Sequence, residues 1–295
     1  MSANYQTIAA DIDNGVLIVT LNRPEQMNAF NVQMADELEH VFAWADQAPE
    51  VGAIIVTGAG KAFCAGMDLD VPGNVFGLNE TLSPSLEDVR ARMDAPEIAR
   101  GVRDTGGRVA LSIFECSKPV IGAINGAAVG IGATMLLPMD IRLASQTARV
   151  GFVFSKIGIT PEACSTWFLP RIVGVSRALE WFYSGEILSA QAAYEAGLVR
   201  DLVAPEQLLP TALKLARSFV DERSAVSTAL IRQMIYRNAA LPHPRAAHEV
   251  ESLAVFYTSK GDGKEGVQAF LEKRKPRFVT QTPTDLPDFY RAWTK

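Results

Sequence analysis

The 295-residue sequence lacks the motifs on which several common kinds of site depend. It has only three cysteines and three histidines, and neither set shows the spacing of a CxxC pair or of metal ligands. GxSxG and GxxxxGK followed by Ser or Thr are missing, and Gly130-Ile131-Gly132 lacks the third glycine of GxGxxG. These absences argue against a metal centre, a hydrolase with a nucleophilic serine, a phosphate-binding loop and a dinucleotide fold.

Positive charge is also scarce. Lysine and arginine total 28 against 33 acidic residues, for a net charge of −5, whereas nucleic-acid-binding domains usually carry a basic face. The first fifteen residues lack the basic and then apolar pattern of a signal peptide, and widely separated thiols suit a reducing compartment. We therefore expect a cytoplasmic protein that binds no nucleic acid.

One uncharged stretch, Pro119–Met139, is long enough to resemble a membrane span. Asn125, several glycines and Pro138 interrupt it, and no basic residues flank it in the usual way. The stretch predicts a strand, a turn and a buried helix in a globular core rather than a membrane contact.

Strands and helices alternate through the first part of the chain. "GVLIVTLNRP", "VGAIIVTGAG" and "PVIGAING" predict strands, and apolar residues on one side of 31–46 predict a helix, namely Met34, Leu38, Val41, Phe42 and Ala45. Strands that are apolar on both faces favour an α/β fold. From Asp70 to about Gly107 we predict a long loop with short helices, and after Ser176 an almost wholly helical chain.

Two glycine-bearing turns follow predicted strands, one in Gly60–Asp70 and one in Asn125–Met135. We expect each strand to give way to a helix there, which would leave backbone N–H groups free. Two such groups aimed at one point would stabilise an oxyanion. The alternative is that the glycines only permit tight turns and close helix packing.

Six ordered segments resemble the crotonase superfamily, which contains the enoyl-CoA hydratases and isomerases. They are "LNRPEQMNAF", "GKAFCAGMDL", "KPVIGAINGAAVGIGATMLLPMDIRLAS", "GITPEACSTWFLPRIVG", "QAAYEAGLVRDLV" and "EGVQAFLEKRKPRF". The resemblance runs from about Val16 to Phe278. It implies an α/β spiral of ββα units over residues 1–200 and a helical oligomerisation region over 201–295. It also implies a homotrimer or a dimer of trimers, and an acyl-CoA thioester as substrate with no separate cofactor.

The resemblance also implies which backbone groups bind the thioester oxygen. The two N–H donors would be those of Met67, in the first turn, and Ile131, in the second. A main-chain donor needs no particular side chain, which would explain why both turns are built from small residues.

The acids of a typical hydratase are missing. At the positions of its two glutamates this chain has Thr134 and Phe154, neither of which can act as a general acid or base at neutral pH. One acid remains nearby, Glu162 in "GITPEACST". From the residues alone, Pro161 and Glu162 could simply begin a helix.

The Pro-Glu pair is most similar to the single-glutamate Δ3,Δ2-enoyl-CoA isomerases, in which one carboxylate moves a proton from C2 to C4. Four apolar rings near Glu162 in the sequence would desolvate it and raise its pKa, namely Phe152, Phe154, Trp167 and Phe168.

The resemblance assigns the remaining candidates to coenzyme A or the acyl chain: Arg23, Ala65, Gly66, Asp68, Leu69, Asp70, Gly130, Thr134, Phe154, Trp167, Phe270 and Lys273. Many relatives have a lysine where this chain has Asp70, which puts that phosphate contact in doubt. Three hypotheses stay open. They are an enoyl-CoA isomerase, a hydratase or other lyase in which Glu162 positions water, and a non-catalytic acyl-CoA-binding protein.

Overall fold

The computed structural model describes residues 4–294. Its strands are β1 (Ile8–Asp13), β2 (Val16–Leu21), β3 (Ala53–Gly58), β4 (Ala62–Cys64), β5 (Val120–Ile124), β6 (Ala127–Val129), β7 (Ile141–Ser145), β8 (Arg149–Gly151), β9 (Ile187–Ser189) and β10 (Asp201–Val203). Its helices are α1 (Val32–Gln47), α2 (Leu86–Arg92), α3 (Pro96–Gly101), α4 (Thr105–Glu115), α5 (Ile131–Thr134), α6 (Ser165–Val173), α7 (Val175–Ser184), α8 (Ala190–Glu195), α9 (Leu208–Val220), α10 (Ala225–Asn238), α11 (Pro244–Lys260), α12 (Asp262–Leu271) and α13 (Asp288–Thr294).

The strands form two sheets, and the chain alternates between them. The larger sheet has the order β1-β2-β3-β5-β7-β10, and the smaller has the order β4-β6-β8-β9. Each of the consecutive pairs β3–β4, β5–β6 and β7–β8 gives its first strand to the larger sheet and its second to the smaller. Helices follow each pair, so the core is the predicted spiral of ββα units.

Apolar periodicity explains how the core assembles. Helix α1 begins after Asn31, whose side chain accepts a hydrogen bond from the N–H of Met34 at 2.9 Å. The five residues predicted to share one side of this helix are all buried in the main cluster. On the opposite face of the larger sheet, α9 covers β3 and β5 and forms a second apolar cluster. Both faces of the parallel strands are therefore covered, as their continuous apolar sequences predict.

The C-terminal third is more mixed than predicted. Beyond Ser176 the chain contributes β9 to the smaller sheet and β10 to the larger one, so it is not wholly helical until after Val203. These strands have three residues each, too few to show a period in the sequence. From there α9–α13 complete the described chain, and α10, α11 and α13 share a small apolar cluster. The division into residues 1–200 and 201–295 stays a prediction.

The prediction for Asp70–Gly107 is confirmed, because α2 and α3 are short helices in an otherwise irregular segment and α4 begins only at Thr105. The expectation of a helix directly after the first glycine turn is wrong, since irregular chain continues to α2. After the second turn a helix does follow, but α5 is only one turn long. No helix within residues 4–294 is long and apolar enough to cross a membrane.

Candidate active site

The two glycine turns leave the same edge of the smaller sheet. Strands β4 and β6 are parallel neighbours, with Ala62 opposite Ala127 and Cys64 opposite Ala128. Because the carboxyl ends of parallel strands meet at one edge, the turns that follow them are adjacent. A Cβ built on Gly66 would lie 3.3 Å from the carbonyl oxygen of Val129, so the two backbones nearly touch.

Hydrogen bonds with Phe30 hold the first turn. The N–H of Phe30 donates to the carbonyl of Gly66 at 2.8 Å, and the N–H of Asp68 donates to the carbonyl of Phe30 at 2.8 Å. Met67 lies between these two bonds. Within residues 4–294 no protein oxygen accepts a hydrogen bond from the Met67 N–H, which therefore has the free donor that the resemblance requires.

The second turn depends on glycine geometry. Gly130 adopts a φ of +55° and donates its N–H to the carbonyl of Gly151 at 2.9 Å. A Cβ on Gly132 would lie 2.1 Å from the carbonyl oxygen of Cys64, so only glycine permits α5 to approach β4 this closely. Ile131 is the first residue of α5, and its N–H has no protein acceptor in the described chain.

Glu162 lies beside the second turn. Its Oε1 is 2.5 Å from the Oγ1 of Thr134, the last residue of α5, and Thr134 is fully buried. A Cβ built on Gly106 would lie 1.9 Å from Oε2 of Glu162 and 2.4 Å from Cδ1 of Ile131, which shows that these side chains converge on one point of α4. Glu162 and the predicted Ile131 donor therefore border the same small region.

The environment of Glu162 favours its neutral form. Although part of the residue reaches the surface, desolvation of the carboxyl group raises its pKa to about 8. The hydrogen bond with Thr134 acts in the opposite direction and lowers the pKa, while the nearby carboxylate of Asp104 raises it. A carboxyl group that titrates near neutral pH is suited to proton transfer.

Glu162 does not begin a helix, so that alternative from the sequence is wrong. Helix α6 starts at Ser165, and Glu162 is in the preceding loop. The two residues between them, Ala163 and Cys164, have φ values of +55° and +54°, which non-glycine residues seldom adopt. Such strain persists only where the surrounding structure holds it.

Two neighbours of Glu162 were not predicted from the sequence. Asp104 precedes α4, and its Oδ1 accepts hydrogen bonds from the N–H groups of Gly107 and, at 3.0 Å, Ala163. Gly106 leaves the space that the Glu162 carboxyl occupies. The available signal was the Gly106-Gly107 pair at the start of a helix, where glycine is costly by about 1 kcal/mol per residue.

Arg23 and Asp68 pair with each other. Nη2 of Arg23 is 2.7 Å from Oδ2 of Asp68, and the side chains are only 18% and 12% exposed. The hydrogen bond from Arg23 lowers the pKa of the Asp68 carboxyl. The pair braces the first turn, and a contact of either residue with coenzyme A stays a prediction.

The other predicted contact residues are spread between the surface and the core. Ala65, Leu69, Asp70, Phe270 and Lys273 are exposed, whereas Gly66 and Gly130 are buried in the turns. Whether these residues contact coenzyme A stays a prediction, as does any contribution of Phe270 and Lys273 from a neighbouring subunit.

The predicted aromatic surroundings of Glu162 form two groups. Phe152 and Phe154 pack against Phe182, at ring-centroid distances of 5.6 and 6.2 Å. Trp167 and Phe168 both pack against Phe114, on α4. The identified neighbours of the Glu162 carboxyl group are instead Thr134, Asp104 and the space left by Gly106, so desolvation by the rings stays a prediction.

Residues 4–294 contain no group of three or more His, Cys, Asp or Glu side chains placed to hold a metal ion. All three cysteines are free thiols, and burial raises the pKa of Cys64, which lies next to the first turn, to about 12. The groups that lie together here are the two backbone donors, the Thr134 hydroxyl group, the Glu162 carboxyl group and the neighbouring carboxylate of Asp104.

Comparisons with known proteins identify the family to which the chain is similar. The sequence pattern of the Enoyl-CoA hydratase/isomerase family matches residues 11–281. The chain is 37% identical over 278 residues to Enoyl-CoA hydratase AFT3-1 of Alternaria alternata, covering 93% of this chain and 86% of that protein. It is 33% identical over 275 residues to 1,2-epoxyphenylacetyl-CoA isomerase of Escherichia coli strain K12, covering 92% and 98%.

A solved structure shows the same fold. The crystal structure of enoyl-CoA hydratase from Bacillus anthracis superposes with a TM-score of 0.80 at 31% identity, and the match covers 92% of this chain and 99% of that one. The predicted fold class is confirmed by this match.

Proposed function

Because the chain belongs to the enoyl-CoA hydratase/isomerase family, we propose that it is an isomerase that moves the double bond of 3-enoyl-CoA to give 2-enoyl-CoA. The observation that carries this proposal is the Glu162 carboxyl group, buried without a cationic partner in the described chain and with a raised pKa, beside two adjacent turns with free backbone N–H groups. Isomerisation consumes no water, so one residue that accepts and returns a proton suffices.

The reaction balances within the substrate. The N–H groups of Met67 and Ile131 bind the thioester oxygen, and the Glu162 carboxylate removes a proton from C2. The electron pair of that C–H bond forms the enolate, whose oxygen the two amides stabilise. The conjugated electrons then take the proton back from Glu162 at C4, which leaves the double bond between C2 and C3. Losing one such amide donor typically costs about 3 kcal/mol of transition-state stabilisation.

Thr134 and Gly106 support this role of Glu162. The Thr134 hydroxyl group holds one carboxyl oxygen at 2.5 Å, and the missing side chain of Gly106 leaves room for the other. A positioned carboxyl group with a pKa of about 8 binds a proton strongly enough to remove it from carbon and is still able to release it near neutral pH.

The proposal also covers the contacts with coenzyme A, the cofactor requirement, the compartment and the oligomeric state. Coenzyme A enters as part of the substrate, with Arg23, Ala65, Gly66, Asp68, Leu69, Asp70, Gly130, Thr134, Phe154, Trp167, Phe270 and Lys273 as its candidate contacts, and no separate cofactor takes part. We further expect a cytoplasmic homotrimer or dimer of trimers.

Hydration is the second candidate function. Its support is that relatives such as the Alternaria protein are named hydratases, and that the Thr134 hydroxyl and Glu162 carboxyl groups together offer partners for one water molecule. A non-catalytic acyl-CoA-binding protein is the third, but it leaves the raised pKa of Glu162 without a use.

Product identity distinguishes these functions. The protein is incubated separately with 3-enoyl-CoA and 2-enoyl-CoA, and the products are separated and weighed by mass spectrometry. Isomerisation gives a shifted double bond at unchanged mass, whereas hydration adds one water to 2-enoyl-CoA. Recovery of both thioesters unchanged, with binding retained, would support the non-catalytic alternative and contradict the proposal.

A further inference from the structure

We propose that Asp104 is a positioning residue for Glu162: one oxygen of its carboxylate fastens the turn after Glu162 to the first turn of α4. This inference rests on the proposed role of Glu162 as the proton carrier, and it concerns how that carboxyl group is held at the site.

Asp104 accepts one hydrogen bond more than the capping of a helix requires. Its Oδ1 accepts from the N–H of Gly107, which is the ordinary bond of a capping residue. The same Oδ1 also accepts from the N–H of Ala163 at 3.0 Å, 59 residues away in the sequence. That second bond contributes nothing to capping α4, but it fixes the residue next to Glu162.

The turn that Asp104 holds, at Ala163 and Cys164, has a strained backbone that needs support from its surroundings. Ala163 and Cys164 both have left-handed backbone angles, which are strained for residues other than glycine. Ala163 is also fully buried, so without Asp104 its N–H would lose its partner in a place that solvent reaches poorly. Removal of the Asp104 carboxylate is therefore expected to let the turn relax and Glu162 move with it.

The two glycines of α4 match this arrangement. A Cβ on Gly106 would lie 1.9 Å from Oε2 of Glu162, and a Cβ on Gly107 would lie 2.5 Å from Oδ2 of Asp104. Each glycine therefore leaves the space that one of the two carboxyl groups fills. Glycine weakens a helix, so two in succession indicate that the close approach of these groups determines the sequence here.

Charge has a secondary part in this proposal. Asp104 is itself exposed, so solvent weakens the effect of its charge on Glu162. The other ionisable groups nearby are Cys64 and Cys164, whose thiols have raised pKa values and stay neutral, and Arg103, which pairs with Asp94 at 3.1 Å. The acceptor oxygen of Asp104, rather than its charge, is thus the feature to test.

Two substitutions separate the acceptor from the charge. In Asp104→Asn the amide oxygen still accepts both N–H bonds, whereas in Asp104→Ala both are lost. We expect Asp104→Ala to lower kcat for isomerisation by about ten- to hundredfold with KM little changed, since a misplacement of about 1 Å has effects of that size. We expect Asp104→Asn to restore kcat to within a few-fold of the wild type.

Ser189→Ala is the matched control, because Ser189 caps α8 through a bond of 3.1 Å from Ala192 and has no other role in the site. A kcat of Asp104→Ala as high as that of the control would overturn the proposal. Equal losses in Asp104→Ala and Asp104→Asn would also overturn it, because charge would then be the decisive property.

A readout without turnover distinguishes failure of this inference from failure of the proposed function. The carboxyl infrared band of Glu162, identified by subtracting the spectrum of Glu162→Gln, is titrated in the wild type and in both Asp104 variants. Loss of the Asp104 carboxylate by itself lowers the pKa of Glu162 in both variants. We expect a further fall in Asp104→Ala, where the released carboxyl group reaches water, and equal pKa values in the two variants would contradict the positioning role. If the wild type proves inactive on 3-enoyl-CoA but the titration behaves in this way, the positioning role holds and the reaction is wrong. An unchanged titration in Asp104→Ala would contradict the positioning role.

Discussion

Asp68 and Glu162 are two largely buried acids of the same site that have opposite electrostatic surroundings. Asp68 pairs with Arg23 at 2.7 Å, and that bond lowers the pKa of its carboxyl group. Glu162 has a hydroxyl group and a second carboxylate as neighbours, with no cation beside it among residues 4–294, and desolvation raises its pKa to about 8. A carboxylate that stays charged can brace a turn, whereas one that titrates near neutral pH can carry a proton. The neighbours of each acid, rather than its residue type, thus decide its role.

The largest expected effect comes from removing the titrating acid. Glu162→Gln keeps the shape of the side chain and its contact with Thr134 but cannot accept the C2 proton. We expect the isomerisation rate to fall by roughly a hundred- to ten-thousandfold, with acyl-CoA affinity retained. Steady-state kinetics and calorimetry measure the two quantities, and Glu186→Gln, at an exposed glutamate, is the control. A variant as fast as the control would show that Glu162 is not the base.

The same substitution changes the pH dependence of stability. The folded-state pKa of Glu162 is raised, so its protonated form stabilises the wild type fully below the ordinary pKa of a glutamate, 4.5, and this contribution is lost as pH rises through about 8. The amide of Glu162→Gln does not ionise, so the variant does not lose stability in this way. Relative to the wild type, we expect the free energy of unfolding of the variant to increase by about 4 kcal/mol between pH 5 and pH 9. Parallel curves in urea denaturation across that range would contradict the raised pKa.

A substitution at Gly106 tests whether the position of the Glu162 carboxyl group matters for activity. In Gly106→Ala the new methyl group would collide with Oε2 of Glu162 and with the side chain of Ile131, so the carboxyl group must move. We expect kcat to fall by about ten- to hundredfold although alanine favours the helix by about 1 kcal/mol. Kinetics and thermal unfolding on the same preparation test this opposition of activity and stability. Full activity in this variant would mean that the position of the Glu162 carboxyl group is not critical.

The smallest effect concerns the charged pair. Arg23→Met leaves Asp68 without its cation in a poorly exposed place, and we expect a loss of about 1 to 3 kcal/mol in the free energy of unfolding. Because the folded pKa of Asp68 is lowered, the pair stabilises the fold above the ordinary pKa of aspartate and ceases to do so as pH falls through the folded value. A double-mutant cycle with Asp68→Asn measures the coupling. A coupling near zero would leave Arg23 free for the predicted coenzyme A contact.

The part of the site that follows from local pattern could be predicted from the sequence. Met67 and Ile131 come shortly after apolar strands in glycine turns, and the resemblance gave their roles. Asp104 and Gly106 could not be found in this way. They contact Glu162 although more than fifty residues separate them in the sequence, and the apolar periodicity of α4 begins only after them. The pairing of Arg23 with Asp68 likewise depends on the path of the chain between them, which composition and spacing do not reveal.

Hydrogen exchange at C2 tests the central claim, that Glu162 alone carries the proton, most directly. 3-Enoyl-CoA is incubated in deuterated water with the wild type or with Glu162→Gln, and the mass of recovered substrate and product is followed over time. We predict that the wild type introduces deuterium, since the carboxyl proton exchanges with solvent between removal and return, and that Glu162→Gln introduces none above the background without enzyme. Deuterium incorporation by Glu162→Gln at the wild-type rate would contradict the account.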